Sequence, residues 1–131
     1  MIFGIGTDIV EIKRIEKITS LDKFAKKILS KNEQDIFAMM NNSKRIRYIS
    51  KQFAGKEAIS KALGTGISKN TSFNNIEILR DDNGMPFFNA INQLDNVLAN
   101  LGITKTHVSL SDENDYACLL YTSDAADEWR S

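Results

Sequence analysis

Hydrophobic positions along the chain change period several times, and each change predicts an element. From Met1 to Val10 the residues are apolar and β-branched, broken by Gly4, Gly6 and Asp8, which predicts a buried strand ending near Val10. Helical spacing then takes over, with Ile12, Ile15 and Ile18 at i, i+3 and i+6 and Phe24, Ile28 and Leu29 at i, i+4 and i+5. Two short amphipathic helices flanking Thr19 to Leu21 follow from it. A third begins near Ser30, where Glu33 completes a capping box, carries Ile36, Phe37, Met39 and Met40, and ends at Asn41-Asn42. From Ser43 to Leu63 only Gly55 interrupts a long helix built on Ile46, Ile49, Phe53, Ala54, Ala58 and Leu63, and Gly64-Thr65-Gly66 stops it.

Three strands are predicted beyond that helix: Phe73 to Arg80, Pro86 to Asn89, and Thr106 to Tyr121 with an interruption around Asp112. Asp82-Asn83-Gly84 has the composition of a hairpin turn, and Ile91 to Leu101 reads as a helix with Gly102 as its stop. No repeat, linker or low-complexity tract divides the chain. The expected layout is a single α+β domain, with a first strand and helices followed by a small antiparallel sheet.

Composition narrows the function. A length of 131 residues with 42% apolar content sustains one core, and no apolar stretch approaches the roughly 20 residues that span a bilayer. Asp8 and Glu11 fall where a signal peptide would be apolar, and no basic n-region precedes them. The expectation is a cytoplasmic protein without a membrane partner. One cysteine, Cys118, and one histidine, His107, make neither an internal disulfide nor a closed zinc site, so a metal here would be held by oxygen. Zero net charge argues against a nucleic-acid partner. The charge is nonetheless uneven: Lys13, Arg14, Lys17, Lys23, Lys26, Lys27 and Lys31 face only Glu11, Glu16 and Asp22 in their stretch. That basic surface is either a solvated helix face or a binding face.

An ionised carboxylate inside an apolar strand is costly unless it is paired or binds a metal, which singles out Asp8. On the long helix, Phe53, Glu57 and Lys61 share a row at i, i+4 and i+8, with Lys56 and Ser60 in a neighbouring row, and small Ala54, Gly55 and Ala58 permit close approach. Carboxylate, cations and hydroxyl in this grouping suit a magnesium–pyrophosphate site, because the ion takes one or two carboxylates and fills its remaining positions with water and phosphate oxygens. Each signal has a plainer reading: Glu57 with Lys61 as an exposed ion pair, Asp8 as a cap, Gly64 to Gly66 as a helix stop.

Taken together and in this order, GIGTDIVEIKRI, FAGKEAISKALGTGI and HVSLS resemble the holo-acyl-carrier-protein synthase family, over Met1 to about Ala117. The resemblance implies a 4'-phosphopantetheinyl transferase fold. It implies transfer of the phosphopantetheine arm of coenzyme A to a serine of acyl carrier protein, with release of adenosine 3',5'-bisphosphate. Asp8 and Glu57 match the magnesium ligands. Lys56 and Lys61 would hold phosphates and Ser60 would orient them, while backbone N–H groups of Gly64, Thr65 and Gly66 would meet the nucleotide. Glu57, Lys61 and Asp112 are the expected catalytic residues. Lys13, Arg14, Lys17 and Lys23 would dock the acidic carrier, with Phe24 as core or contact. A homotrimer with active sites between neighbouring subunits is implied as well.

Two positions depart from the family pattern. Asp112 stands where a His usually follows the HVSLS-type segment, and Gln52 where an Arg often precedes Phe-Ala, implying a lost phosphate or carrier contact. His107, which begins HVSLS, is read as structural. The loss of the usual His at position 112, together with a disrupted C-terminus, motivates an alternative, a non-catalytic carrier- or coenzyme A-binding protein. Finally, the run Cys118 to Trp129 resembles a translated sequencing-library adapter, so residues 118–131 are read as a non-native tail following a domain of residues 1–117. Cys118, Leu119, Leu120 and Tyr121 still suit a last strand. Without the tail's Asp124, Asp127, Glu128 and Arg130 the chain carries two more basic than acidic residues.

Overall fold

The change of period at Glu11 is a change of element. In the computed structural model, which describes residues 1–126, β1 (Ile2–Glu11) passes directly into α1 (Ile12–Glu16), followed by α2 (Leu21–Ile28), α3 (Lys31–Ala38) and α4 (Asn42–Ala62). Ser20, Ser30 and Asn41 cap α2, α3 and α4 by accepting from backbone N–H groups in the first turn, and Ser30 with Glu33 forms the predicted capping box. Asn41 therefore opens α4 and does not close α3.

After α4 come β2 (Ile76–Arg80), β3 (Pro86–Ala90), α5 (Leu94–Asn100), β4 (Ile103–Asp112) and β5 (Tyr116–Ala125). The residues predicted to start the second strand, Phe73–Asn75, form a 3-10 turn instead. Gly84, at φ +82°, closes the β2–β3 hairpin, and Asp81 Oδ1 accepts from the N–H groups of Asn83 and Met85. The predicted helix is shorter than its apolar pattern, and Gly102 follows it at φ +76°.

Pairing is where the structure departs from a first strand set apart from a later sheet. β1 runs antiparallel to β5, which runs antiparallel to β4, giving the order β1-β5-β4, while β2 and β3 form a separate ladder. Periodicity fixes which face of a strand is covered, not which strand lies beside it. β5, containing Cys118 to Tyr121, is thus the central strand. The end of the adapter-like run, including Trp129, lies outside the described residues.

α4 is the spine. It supplies Ile49 and Ala54 to a core shared with α1, α2, α3 and β1, and Ala58 and Ile59 to a second core under β2, α5 and β5. Because it is covered on several sides, its apolar stripe is weak. A Cβ on Gly4 would strike the Ala62 carbonyl and one on Gly6 the Ala58 carbonyl, so β1 lies close along α4 because both positions lack a side chain.

Candidate active site

Gly4 against Ala62 and Gly6 against Ala58 set a frame in which two strand residues match four helix residues, about 6.6 Å of strand against about 6 Å of helix. Asp8 continues the α4-facing side of β1 and is only 21% exposed at its side chain. Lys61 Nζ donates to Asp8 Oδ1 at 3.1 Å. Glu57, partly buried, lies one turn before Lys61 on the same row of α4. The structure therefore brings Asp8, Glu57 and Lys61 to one flank of α4. Lys61 does not make the simple within-helix pair its spacing allows; it reaches across to the strand. Among the described residues no group of three or more His, Cys, Asp or Glu side chains is arranged to hold a metal. Two carboxylates are compatible with a hard divalent ion such as magnesium, which retains waters and accepts substrate phosphates.

Two expected phosphate ligands are corrected. Lys56 is fully buried, and its ammonium donates to the Ile28 carbonyl at 2.5 Å, the Phe73 carbonyl at 2.8 Å and Glu33 Oε1 at 2.6 Å. All three donors are consumed. Burial lowers its pKa, an effect that Glu33 opposes without cancelling. Ser60 is likewise buried, and its hydroxyl donates to the Glu57 carbonyl at 2.8 Å. The glycine turn is corrected in part. The Gly64 N–H donates to the Lys61 carbonyl and the Gly66 N–H to the Ser60 carbonyl, so both close α4 and neither is free to cradle a nucleotide. Thr65, exposed between them, donates its hydroxyl to the Gly66 carbonyl.

Asp112 is on the same sheet face as Asp8 but not in the same site. In register, Asp8 lies across from Leu119 and Asp112 from Ala117. α4 crosses β5 between them at Gly55, where a Cβ would meet a Leu119 methyl at 2.5 Å. On its own flank Asp112 pairs with Arg47 at 3.1 Å and Lys51 at 3.4 Å. These two cations were missed in the sequence, although they stand at i and i+4 on α4 like Glu57 and Lys61. Beside them opens a cavity of about 660 Å³, with Lys44, Arg47, Lys51 and Arg80 among apolar Ile36, Met40, Ile78 and Leu110. Tyr48 also lines it, with a buried hydroxyl that has no partner among the described residues and a pKa raised first by burial and then by Glu33 and Glu77.

Gln52 does not mark a lost surface contact. It is buried, and its amide donates to Glu33 and to the Ile78 carbonyl, so position 52 belongs to an interior network. His107 is exposed on the sheet face away from α4, 3.2 Å from Asp124. Lys13, Arg14, Lys17 and Lys23 are all exposed on or beside α1 and α2. Next to this basic face the half-buried rings of Phe24, Phe53 and Phe73 form a row, with centroids 5.5 and 5.7 Å apart. Phe53 and Phe73 carry no sequence signal that separates them from core residues.

A strand carboxylate, a helix carboxylate and a lysine thus share one flank of a buried helix, a set of groups able to engage a hard cation and phosphate oxygens. The chain belongs to the 4'-phosphopantetheinyl transferase superfamily, whose family model matches residues 4–120. It is 46% identical to the holo-[acyl-carrier-protein] synthase of Blochmanniella floridana over 120 residues, 90% of this chain and 94% of that protein. Its fold is similar to the crystal structure of holo-[acyl-carrier-protein] synthase from Neisseria meningitidis, at TM-score 0.86 and 39% identity, covering 95% of this chain and 99% of that one. The holo-(acyl-carrier-protein) synthase of Bacillus anthracis in complex with CoA (3',5'-ADP) matches at TM-score 0.82 and 36% identity, over 96% and 99%. The α+β transferase fold expected from the sequence is the fold observed.

Proposed function

We propose that this chain transfers the 4'-phosphopantetheine group of coenzyme A to a serine of acyl carrier protein, leaving adenosine 3',5'-bisphosphate. The observation that carries it is the Asp8–Lys61 contact with Glu57 one helical turn away. The names of the relatives, and the coenzyme A-derived ligand of the Bacillus anthracis protein, support the same reading. Asp8 and Glu57 would hold magnesium, which when bound neutralises pyrophosphate charge and the charge that builds on the leaving bisphosphate. Lys61 is the phosphate-binding cation, since its long exposed side chain can exchange Asp8 for a phosphate oxygen. The seryl oxygen forms the new bond to phosphorus as the bond to the bisphosphate oxygen breaks. The seryl proton passes to Glu57, directly or through an ordered water.

The same proposal includes a homotrimer with active sites between subunits. Ile5, Ile9 and Leu120 are 59%, 62% and 49% exposed on the sheet face away from α4, an apolar patch that a second copy would cover. One chain also keeps its two charged clusters apart: Arg47 and Lys61 are separated by about 21 Å of helix. A neighbouring copy that offers its Asp112, Arg47 and Lys51 side would join them. Asp112 adds no uncompensated negative charge there, because both cations accompany it. The non-catalytic alternative, which rested on that residue and on the disrupted C-terminus, finds no support among the relatives. Incubating apo carrier with coenzyme A and magnesium tests the activity; a carrier mass unchanged after incubation with folded protein would refute it.

A further inference from the structure

Three elements meet at the Lys56 ammonium. Ile28 is the last residue of α2 and its carbonyl is one of those a helix end leaves without a partner, which a buried cation both satisfies and stabilises. Phe73 opens the 3-10 turn before β2, and Lys56 itself lies next to Glu57 on α4. Glu33 completes the knot by accepting from Lys56, Gln52 and the N–H groups of Ser30 and Ile78. Outside it, Asn74 Nδ2 donates to the Leu29 carbonyl at 2.9 Å, a second bond from the 3-10 turn to the end of α2. The aromatic row Phe24, Phe53, Phe73 spans the same three elements on the surface.

We propose that Lys56 is a positioning residue for carrier docking: its buried ammonium locks the end of α2 and the Phe73 turn onto α4, fixing the basic and aromatic face relative to Asp8 and Glu57. The proposal rests on the carrier-docking part of the function above. A cation is suited to the place because one small group supplies three donors to two carbonyls and a carboxylate, which no neutral side chain of that length does. Losing it loosens the angle at which the carrier's serine arrives while leaving the coenzyme A flank, on the other row of α4, untouched. Small errors in such placement are costly because a bound geometry is productive only over a narrow range.

The test is Lys56→Met, which keeps the length and leaves Glu33 with its other three donors. In the folded variant the KM for carrier rises about tenfold or more while that for coenzyme A stays within about twofold, and amide exchange quickens across residues 21–30. Equal rises in both constants return Lys56 to the phosphate site, and unchanged constants reduce it to a core residue; either overturns the proposal. Should Lys56→Met fail to fold, Asn74→Ala decides, since Asn74 is exposed. A carrier KM raised about threefold or more at an unchanged melting temperature supports the tether, and an unchanged KM overturns it. If the unaltered chain transfers nothing, the activity itself fails, and exchange in α2 still decides: unchanged protection in Lys56→Met removes the tether.

Discussion

Asp8 and Lys56 are both charged residues in apolar surroundings, and they have opposite fates. Asp8 stands at the rim where β1 runs along α4 and retains partial exposure, whereas Lys56 points inward and is saturated by protein oxygens. The sequence made Asp8 legible because a strand carboxylate has few structural uses. It could not place Lys56, because helical spacing groups residues into rows without saying which rows are covered on a helix buried on several sides. Asp8→Ala and Glu57→Ala are each expected to lower transfer at least about a hundredfold, with melting temperature little changed; rescue of either by excess coenzyme A alone would argue against metal ligation. Gly6→Ala should act through stability, by about 2 kcal/mol or more in a denaturant titration, since its new Cβ would meet the Ala58 carbonyl.

At the level of elements, most helices and strands were written in the pattern of apolar residues, and the pairing of strands was not. Nothing in the spacing of Ile5, Ile9 or Val10 states that β1 lies beside β5 rather than β2. The basic helices α1 and α2 were readable as a charged face, and Arg14→Glu should raise the KM for carrier far more than the KM for coenzyme A; equal effects would detach the carrier from this face. β5 is the least comfortable element. Tyr121 and Ser123 are buried beside one another, and their hydroxyls lack a completed hydrogen bond among the described residues. We propose that the run from Cys118 is adapter-derived and fills a strand position shaped for other residues; independent genomic DNA should then encode a different sequence after Ala117, and the same codons would sink the idea. Tyr121→Phe is expected to be neutral or stabilising by up to about 1 kcal/mol. Burial pushes the Tyr121 hydroxyl up to about 12, with a weaker opposing pull from Ser123. The folded state therefore keeps a proton that the unfolded state loses above about pH 10, so stability is complete below that pH and declines toward pH 12. Thermal melts across this range should show the decline, reduced in Tyr121→Phe.

For the whole molecule, a single chain presents two separate charged clusters and an apolar sheet face left exposed. The Asp8–Glu57–Lys61 cluster and the Asp112–Arg47–Lys51 cluster lie toward opposite ends of α4, a separation no linear motif discloses because both sets are read from the same helix. Trimer formation would resolve both features. Sedimentation should give three times the chain mass, and Ile9→Glu, placed on the exposed sheet face, should shift it toward monomer with a parallel loss of transfer; an active monomer would contradict shared sites. The central claim is the activity itself, and mass spectrometry of apo acyl carrier protein after incubation with this chain, coenzyme A and magnesium tests it most directly. The account predicts a carrier heavier by one phosphopantetheine, with no gain when Asp8→Ala replaces the unaltered chain; a carrier of unchanged mass, in the presence of folded trimer, would contradict it.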